Sequence, residues 1–490
     1  MTITLRELLH GVTAQPLAPV PVSGIACHSK QVRPGDLFIA IEGSTQDGHA
    51  FIEEAIARQA SAIVAQRRPA SGHPCPCVVV PDARQALAVM ASRFYGHPSS
   101  KLRLVGVTGT NGKTTTTYLL QAILEASGAR AGLLGTIMYH IGGRAIPSTN
   151  TTPGPLELQR YFAQMVGEGL AWCAMEVSSH ALAQGRVAGL EFEAAVFTNL
   201  GSDHLDYHKT REAYAAAKRR LFDYVRPNGS AVINVDDEYG RTLAETIPNR
   251  AVVTYGMERP GDASVKHVAC SWQGTSFVLD TRWGTIPVET PLLGRHNVWN
   301  ITAAAATLLA LGIPAAAVRD GLAAIERVPG RLEWVPNDAG LNVLIDYAHT
   351  ADALRLALLS LRELNRGRLI VIFGCGGDRD QTKRPVMGRI ASLIADHVVL
   401  TSDNPRMEAP LDIIHQIKAG FAPAFHQFQI TPDREQAITS VLAEAKADDT
   451  ILIAGKGHEA YQIFDHVSIP FSDRDVVERC LSTRHSLAIS

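Results

Sequence analysis

A glycine-rich segment at residues 106–115, Gly-Val-Thr-Gly-Thr-Asn-Gly-Lys-Thr-Thr, constrains the fold of this chain more than any other feature. It follows an apolar segment at 102–107, which predicts a buried strand, and it leads into a helical pattern at 113–127. Glycines let backbone N–H groups approach phosphate oxygens, and the start of the helix adds positive potential. The sequence therefore predicts a nucleoside triphosphate site in an α/β sheet. A glycine-rich turn with a chance lysine is the alternative interpretation.

Residues within this segment have distinct expected roles. Lys113 should reach the β- and γ-phosphates, and Thr114 should ligate the Mg²⁺ that accompanies the nucleotide. The strict spacing of such loops would need glycine at 107, where this chain has Val107, so the loop is a variant. The candidate ATP-binding residues of the loop are Gly109, Thr110, Asn111, Gly112, Lys113, Thr114 and Thr115.

Length and composition limit the class of protein. With 490 residues, the chain is long enough for about three domains. A formal net charge of −2 gives no basic field that would attract nucleic acid as a partner. No apolar segment reaches the roughly 18 residues of a membrane span, so we expect no membrane insertion. The N-terminus has no secretory signal and the 7 cysteines are scattered, which favours free thiols in the cytoplasm.

Apolar segments alternate with helical patterns in three blocks, 1–98, 99–328 and 329–490. A polar linker at 96–100 ends the first block, and the pattern restarts after 328–331. Strands separated by helices predict an α/β fold with parallel sheets, doubly wound in the last block. The predicted strands are 36–41, 62–65, 77–80, 102–107, 172–177, 194–198, 231–235, 343–345, 369–373, 398–400 and 451–454, and the predicted helices are 51–59, 113–127, 297–311, 352–365, 385–395 and 411–419.

Polar runs follow all four predicted strands of the third block. They are Asp-Tyr-Ala-His at 346–349, Gly-Cys-Gly-Gly-Asp-Arg at 374–379, Ser-Asp-Asn-Pro-Arg at 402–406 and Gly-Lys-Gly-His-Glu at 455–459. Ligands of doubly wound sheets bind beyond the carboxyl ends of the strands. Packing alone does not require polar residues at all four ends, so we expect a second ligand site there.

Glu176 and His204 follow two predicted strands near the phosphate loop. A carboxylate oxygen and an imidazole nitrogen there could ligate Mg²⁺ and so help neutralise the γ-phosphate. The alternative interpretations are a surface carboxylate and a histidine bonded to a neighbouring carbonyl group. Lys218 lies in an obvious helical pattern, and taken alone it is expected to be a solvated helix lysine.

Together, these motifs resemble those of the Mur ligases. The motifs are Gly-Thr-Asn-Gly-Lys-Thr-Thr at 109–115, Glu-Val-Ser-Ser-His at 176–180, Asp-His-Leu-Asp-Tyr-His at 203–208, Asp-Tyr-Ala-His at 346–349 and Asp-Asn-Pro-Arg at 403–406. The resemblance implies an N-terminal domain for a uridine nucleotide, a central ATPase domain and a C-terminal Rossmann-like domain. It also implies that Lys218 is carbamylated and that it ligates Mg²⁺ together with Thr114, Glu176 and His204. Two Mg²⁺ ions are expected, and Lys113, Glu176, His204 and Lys218 form the expected catalytic set.

The resemblance further implies which residues hold the substrates. This chain has His-Ser-Lys at 28–30, where members of the family often have Asp-Ser-Arg. Beyond the loop, the expected ATP contacts are Asn297, Asn300, Arg331 and His349. The expected contacts of the UDP-MurNAc dipeptide are Ser29, Lys30, Gly48, His49, Thr151, Thr152, Ser178 and Arg186. The expected contacts of the incoming amino acid are Arg379, Asp403, Asn404, Arg406, Gly455 and Glu459.

The activity implied is ATP-dependent addition of meso-diaminopimelate to UDP-MurNAc-L-Ala-D-Glu through an acyl-phosphate. Arg406 could bind the second carboxylate of diaminopimelate, which lysine lacks, and Glu459 could accept from its ammonium group. Ligation of L-lysine and folate polyglutamylation are the alternatives among enzymes, and a nucleotide-binding regulator is the alternative outside them. A monomer is expected, because no coiled-coil segment is evident.

Overall fold

The structure is a computed structural model that describes residues 3–43, 46–69, 75–248 and 250–489. Its N-terminal part contains a four-stranded parallel sheet. Apolar side chains on both faces of this sheet pack against the flanking helices. The strands in spatial order are Gly24–Ala26, Asp36–Ile39, Ala62–Ala65 and Cys77–Val79, the helices are Leu5–Leu8, Ile52–Ala57 and Ala83–Phe94, the 3₁₀ helices are Ser29–Gln31 and Gly48–Phe51, and Ile3–Thr4 pairs with Pro21–Val22.

The central part is built on an eleven-stranded mixed sheet. Its middle strands are parallel, as predicted, whereas antiparallel hairpins extend both edges. The sequence analysis did not predict these edge strands. In spatial order the strands are Arg144–Pro147, Met138–Ile141, Ala131–Leu134, Trp172–Glu176, Arg103–Thr108, Phe192–Phe197, Val225–Asn234, Ala251–Gly256, Ala263–Ser271, Gly274–Thr281 and Gly284–Thr290.

Helices cover both faces of the central sheet and create an apolar core on each side. The alanine-rich helix Arg295–Ala310 is almost completely buried and packs against the phosphate-loop helix Lys113–Ala126. Small side chains allow this close approach of two helices. The other helices are Pro155–Gly167, Ser179–Ala183, Leu205–His208, Arg211–Arg219, Glu238–Thr246 and Ala315–Ala324, with 3₁₀ helices Pro98–Lys101 and Arg220–Tyr224.

The C-terminal part contains a six-stranded sheet, parallel except for its first strand, with a core on each face. This agrees with the doubly wound pattern predicted for the last block. No helix among the described residues is both long and apolar enough to span a membrane. In spatial order the strands are Glu333–Val335, Asn342–Asp346, Thr450–Ala454, Leu369–Phe373, His397–Leu400 and Phe428–Ile430, the helices are Ala351–Leu364, Lys383–Ile394, Pro410–Lys418, Arg434–Glu444 and Asp473–Ile489, and Tyr461–Phe464 forms a hairpin with Val467–Pro470.

Candidate active site

The phosphate loop connects the strand Arg103–Thr108 to the helix Lys113–Ala126 at the carboxyl end of the central sheet. Gly112 has a φ of 86°, and a Cβ atom there would lie 2.2 Å from Oδ1 of Asn300. Gly109 has a φ of 150°, and its Cβ would lie 1.8 Å from Oγ1 of Thr198. Both positions therefore require glycine for two reasons, the backbone conformation and the lack of space.

A neighbouring strand end holds the backbone of this loop. The side chain of Asn199 accepts a hydrogen bond from the N–H of Asn111 at 2.9 Å. Thr198 Oγ1 donates to the carbonyl group of Asn111 at 2.6 Å. The hydroxyl groups of Thr110 and Tyr214 lie 3.2 Å apart. Sequence reasoning gave no role to Thr198, Asn199 or Tyr214, although Asn199 opens the polar run after its strand and could have been noticed on that ground.

The two polar side chains at the start of the loop helix are both engaged. Lys113 Nζ donates to the carbonyl groups of Gly109 at 3.0 Å and Thr110 at 2.9 Å. Burial lowers the pKa of Lys113. Thr114 Oγ1 accepts from Arg331 Nη2 at 3.0 Å. Because Arg331 belongs to the C-terminal part, this hydrogen bond ties the C-terminal part to the phosphate loop.

Glu176 lies at the end of its strand and is fully buried. One carboxylate oxygen accepts from the N–H of Thr136 at 2.7 Å, and the other accepts from Thr136 Oγ1 at 2.9 Å. That hydroxyl also lies 3.1 Å from Thr151 Oγ1. The surface carboxylate considered as an alternative for Glu176 is therefore wrong. Thr136 was missed, because only the fold brings it beside Glu176.

Lys218 is 1% exposed, so the solvated helix lysine expected from its helix alone is wrong. The polar face of a short helix usually meets water, but the face that carries Lys218 packs against the phosphate loop. Its Nζ donates to the carbonyl group of Gly109 at 2.7 Å and lies 4.2 Å from the centre of the Tyr214 ring. Burial, assisted by the charge of Lys113, lowers the pKa of Lys218 well below its ordinary value.

His204 lies beside this cluster, in the left-handed conformation with a φ of 56°. Desolvation lowers its pKa to about 4, so the imidazole is neutral near pH 7. Its ring is 4.7 Å from the ring of His180, and its Nε2 lies 3.5 Å from Oδ2 of Asp203. Asp203 also faces Nε2 of His349 at 3.9 Å, across the boundary to the C-terminal part. Burial raises the pKa of Asp203, but His349, His204 and Lys383 outweigh it and the net shift is downward.

Three side chains of the C-terminal part pack around the Tyr347 ring. It lies 4.6 Å from the guanidinium of Arg331, 4.7 Å from the ring of His349 and 5.2 Å from the ring of His458. Burial lowers the pKa of His458 to about 3. Tyr347 therefore orders the side of the cavity that faces the phosphate loop.

One cavity brings most of the predicted catalytic and nucleotide-binding residues together. It lies between the central and the C-terminal sheets. Gly109 and Asn297 lie just behind it, where Asn297 Oδ1 accepts from Asn300 Nδ2 at 2.9 Å. The predicted residues that line the cavity are Thr110, Asn111, Gly112, Lys113, Thr114, Thr115, Thr151, Glu176, Ser178, His204, Lys218, Asn300, Arg331 and His349.

The donor set suits a magnesium ion that is bound mainly through nucleotide phosphates. Mg²⁺ in such sites takes one or two protein carboxylates, and its other ligands are phosphate oxygens and waters. Glu176 supplies one carboxylate and Thr114 a hydroxyl group in the same cavity. Among the described residues, no group of three or more His, Cys, Asp or Glu side chains could hold a metal by itself. A metal here thus needs oxygens beyond those of these side chains, which a nucleotide and a carbamate on Lys218 would provide.

The residues expected to hold the uridine nucleotide and the dipeptide form two groups. On the N-terminal sheet, Ser29 donates to Glu54 at 2.6 Å, and Nδ1 of His49, beside Gly48, lies 2.6 Å from Oδ1 of Asp47. Lys30 is exposed. The second group lies at the main cavity, beside the helix Pro155–Gly167, which packs against the N-terminal part. In it, Thr152 Oγ1 donates to the Glu176 carbonyl group at 2.9 Å, the Ser178 N–H donates to Thr152 Oγ1 at 3.0 Å, and Arg186 Nη1 donates to the Thr152 carbonyl group at 2.8 Å.

The residues expected to hold the amino acid converge at the carboxyl end of the C-terminal sheet. Asn404 Nδ2 donates to Glu459 Oε2 at 2.9 Å. Arg406, in the left-handed conformation with a φ of 52°, donates from Nη1 to the carbonyl group of Gly377 at 2.7 Å. A Cβ on Gly455 would lie 2.6 Å from Oδ2 of Asp403, so these two predicted residues are in contact. Arg379 is exposed, and its Nη1 donates to the carbonyl group of Asp378 at 3.0 Å.

The structure is a three-domain α/β fold with a cavity at the phosphate loop, between its second and third sheets. The chain belongs to the Mur ligase family. Three family descriptions match it in order: "Mur ligase family, catalytic domain" at residues 21–95, "Mur ligase middle domain" at 107–308 and "Mur ligase, glutamate ligase domain" at 330–457.

The relatives of this chain include proteins named UDP-N-acetylmuramoyl-L-alanyl-D-glutamate–2,6-diaminopimelate ligase. The one from Geobacillus kaustophilus is 46% identical over 489 residues, which cover 98% of this chain and 99% of the relative. The one from Gloeobacter violaceus is 45% identical over 486 residues, with 98% and 99% covered. A solved structure of a ligase with the same name is 34% identical, with a TM-score of 0.71 over 99% of this chain and 100% of the other.

Proposed function

We propose that this chain catalyses the ATP-dependent addition of meso-diaminopimelate to the D-glutamyl γ-carboxylate of UDP-N-acetylmuramoyl-L-alanyl-D-glutamate, a step of peptidoglycan precursor synthesis. The observation that carries the proposal is the near full-length identity of 45–46% with relatives of that name. The site supports it, because Arg406 and Glu459 offer one cation and one anion at the C-terminal strand ends. A second ammonium–carboxylate head requires that pair of charges.

Each block of the chain is proposed to hold one reactant. Residues 1–98 bind the uridine nucleotide through Ser29, Lys30, Gly48 and His49. Residues 99–328 bind ATP, with the dipeptide end of the acceptor at Thr151, Thr152, Ser178 and Arg186. Residues 329–490 bind the amino acid at Arg379, Asp403, Asn404, Arg406, Gly455 and Glu459, and contribute Arg331 and His349 to ATP. The enzyme is proposed to act as a monomer in the cytoplasm.

ATP is held where the phosphate loop meets the C-terminal part. The ammonium group of Lys113 donates to two carbonyl groups of the loop. When ATP binds, this ammonium can turn from those carbonyl groups to the β- and γ-phosphates. Arg331 lies at the helix start and can move from Thr114 to a phosphate oxygen without leaving the Tyr347 ring. These two cations would stabilise the charge that develops on the transferring phosphoryl group.

Two Mg²⁺ ions are proposed to be held by Thr114, Glu176, His204 and the carbamate of Lys218, and when bound they would neutralise phosphate charge. The environment of Lys218 favours the carbamate. Carbon dioxide adds only to a neutral amine, and burial lowers the pKa of this amine strongly. Addition forms an N–C bond and releases one proton. The neutral His204 imidazole keeps a nitrogen lone pair available as a ligand.

The proposed reaction has two steps. The γ-carboxylate oxygen of the D-glutamyl residue attacks the γ-phosphorus of ATP, so an acyl-phosphate forms and ADP leaves. The neutral amine of diaminopimelate attacks the acyl carbon, loses a proton and expels phosphate, which leaves an amide. Arg331 and His349 bring the amino-acid site to the phosphate loop, since both belong to the C-terminal part and face the central one.

The test is ADP release by the purified protein with ATP, Mg²⁺ and UDP-MurNAc-L-Ala-D-Glu. Parallel reactions contain meso-diaminopimelate, L-lysine or no amino acid, and a further control omits the uridine nucleotide. Release that requires diaminopimelate, together with a tripeptide product of the expected mass, supports the proposal. Release with lysine alone would contradict the proposed amino acid. Folded protein that binds ATP but releases no ADP, even with bicarbonate added, would contradict ligation altogether.

A further inference from the structure

Lys456 is a fully buried lysine in the C-terminal part that has no role in the mechanism described above. It lies between Gly455 and Gly457, which have φ values of 111° and 53°. A Cβ on Gly457 would lie 2.8 Å from Cβ of Tyr347, and a Cβ on Gly455 would lie 2.6 Å from Oδ2 of Asp403. The turn therefore depends on both glycines, and it directs the lysine side chain into the protein.

The ammonium group of Lys456 contacts two residues proposed to bind the amino acid. Its Nζ donates to Oε2 of Glu459 at 3.0 Å and to Oδ1 of Asn404 at 3.2 Å. The N–H of Ile463 also donates to Asn404 Oδ1, at 3.1 Å. With its oxygen held by two donors, the Asn404 amide must present its nitrogen to Glu459, where Nδ2 donates to Oε2 at 2.9 Å. The three side chains form a closed set of hydrogen bonds.

This set leaves one oxygen of Glu459 for a ligand. Oε2 already accepts from both Asn404 and Lys456. In the described part of the chain, Oε1 has no hydrogen-bond partner, and the Glu459 side chain is 16% exposed. A carboxylate with one oxygen fixed by a buried cation presents its second oxygen in a defined direction. An ammonium group of the incoming amino acid fits that oxygen.

Stability alone does not account for a buried lysine at this position. Burying an ammonium group is costly, and a buried ion pair often contributes no more than an apolar pair of the same shape. A role in orienting ligand groups gives a reason for the pair. Residues that hold binding groups from behind commonly change affinity without touching the ligand.

We propose that Lys456 is a positioning residue that fixes Asn404 and Glu459, so that Glu459 Oε1 receives the distal ammonium of the diamino acid. This inference rests on the proposed function. Lys456 acts through Glu459 and does not contact the substrate. Its loss should therefore weaken binding of the amino acid and leave acyl-phosphate formation intact.

The experiment compares Lys456→Met and Lys456→Gln with Glu459→Gln, the double variant Lys456→Met/Glu459→Gln, and the exposed control Lys446→Met, all as full-length chains. Lys456→Met should raise KM for diaminopimelate by about 10- to 100-fold, the range expected for losing a charge-assisted hydrogen bond in the site. KM for ATP and for the uridine nucleotide should stay within about twofold of the wild-type values. The rate of positional isotope exchange in ATP, measured without amino acid, should also stay within about twofold of wild type. The double variant should be no worse than Glu459→Gln. Lys456→Gln retains a donor, so its effect should be smaller.

Replacing diaminopimelate with an analogue provides a second, independent test of the inference. 2-Aminoheptanedioic acid lacks the distal amine, so wild type and Lys456→Met should use it with similar KM values. An unchanged KM for diaminopimelate in both Lys456 variants would overturn the inference. Equal increases in KM for ATP, the uridine nucleotide and diaminopimelate, together with a lower urea midpoint of unfolding, would also overturn it, because they indicate a structural role. If Lys456→Met does not fold, Lys456→Gln is judged by the same criteria. If wild type neither ligates diaminopimelate nor binds it by calorimetry, the proposed function fails first and the inference fails with it.

Discussion

Replacing Gly112 with alanine tests the geometry of the phosphate loop most directly. Gly112 has a φ of 86°, and an added Cβ would lie 2.2 Å from Oδ1 of the buried Asn300. The left-handed backbone costs a residue other than glycine about 1–2 kcal/mol. Moving the Asn300 side chain would break its hydrogen bond to Asn297, which costs about 0.5–1.5 kcal/mol more.

The total penalty is about 1.5–3.5 kcal/mol, and the loop can avoid it by relaxing to another conformation. ATP would then have to restore the native loop at that cost. At about 1.4 kcal/mol for each tenfold change, the affinity for ATP should fall about 10- to 300-fold. The assay is calorimetric titration of Gly112→Ala with a non-hydrolysable ATP analogue, together with KM for ATP in the ligation reaction.

The chain provides a matched control in Gly128, just beyond the other end of the same helix. Gly128 has a φ of 82°, but an added Cβ there would meet nothing within 4 Å. Gly128→Ala therefore carries the backbone cost without the clash and lies away from the loop. It should lower the free energy of unfolding by about 1–2 kcal/mol and leave ATP affinity unchanged. The reasoning is refuted if Gly112→Ala binds ATP as wild type does, or if both variants lose the same affinity.

Three further predictions concern other residues. Lys218→Met should abolish ligation even with added bicarbonate, because no carbamate can form. The control variant Lys209→Met, at an exposed lysine, should keep the wild-type kcat. An active Lys218→Met would contradict the role of the carbamate. Arg406→Met should lower kcat/KM for diaminopimelate by about 10- to 100-fold. It should barely change any residual turnover of L-lysine, which lacks the second carboxylate. Equal losses for both amino acids would contradict the assignment of Arg406 to that carboxylate. Burial lowers the pKa of His296 to about 4, from an ordinary 6.5. As the pH falls, the unfolded chain therefore takes up this proton before the folded chain does. The stability that this group contributes should be complete above pH 6.5 and lost as the pH falls towards 4. Urea titrations from pH 7 to 4 should show a weaker pH dependence in His296→Asn than in wild type, and His426→Asn, at a histidine with an exposed side chain, should keep the full dependence.

The sequence predicted what local patterns control. The strand Arg103–Thr108 and the helix Lys113–Ala126 are confirmed, because a short apolar run, a glycine-rich turn and an unbroken helical period act over neighbouring residues. The parallel strands of the C-terminal sheet are confirmed for the same reason, as is the meeting of their polar ends at one edge. The exact division into blocks stays a prediction. The ligand assignments of single residues also stay predictions, since they depend on contacts with substrates.

The tertiary structure decided where isolated polar residues lie. Helical periodicity predicted an exposed Lys218, but its helix packs against the phosphate loop and buries the amine. Thr136 carried no local signal, and Lys456 was predicted only as part of the polar run 455–459, without its burial or its contacts. The sequence by itself therefore determined the fold class and the phosphate loop, through periodicity and turn chemistry. Only packing between segments far apart in the chain decided which charges lose water, and thereby which side chains have shifted pKa values and fixed directions in the site.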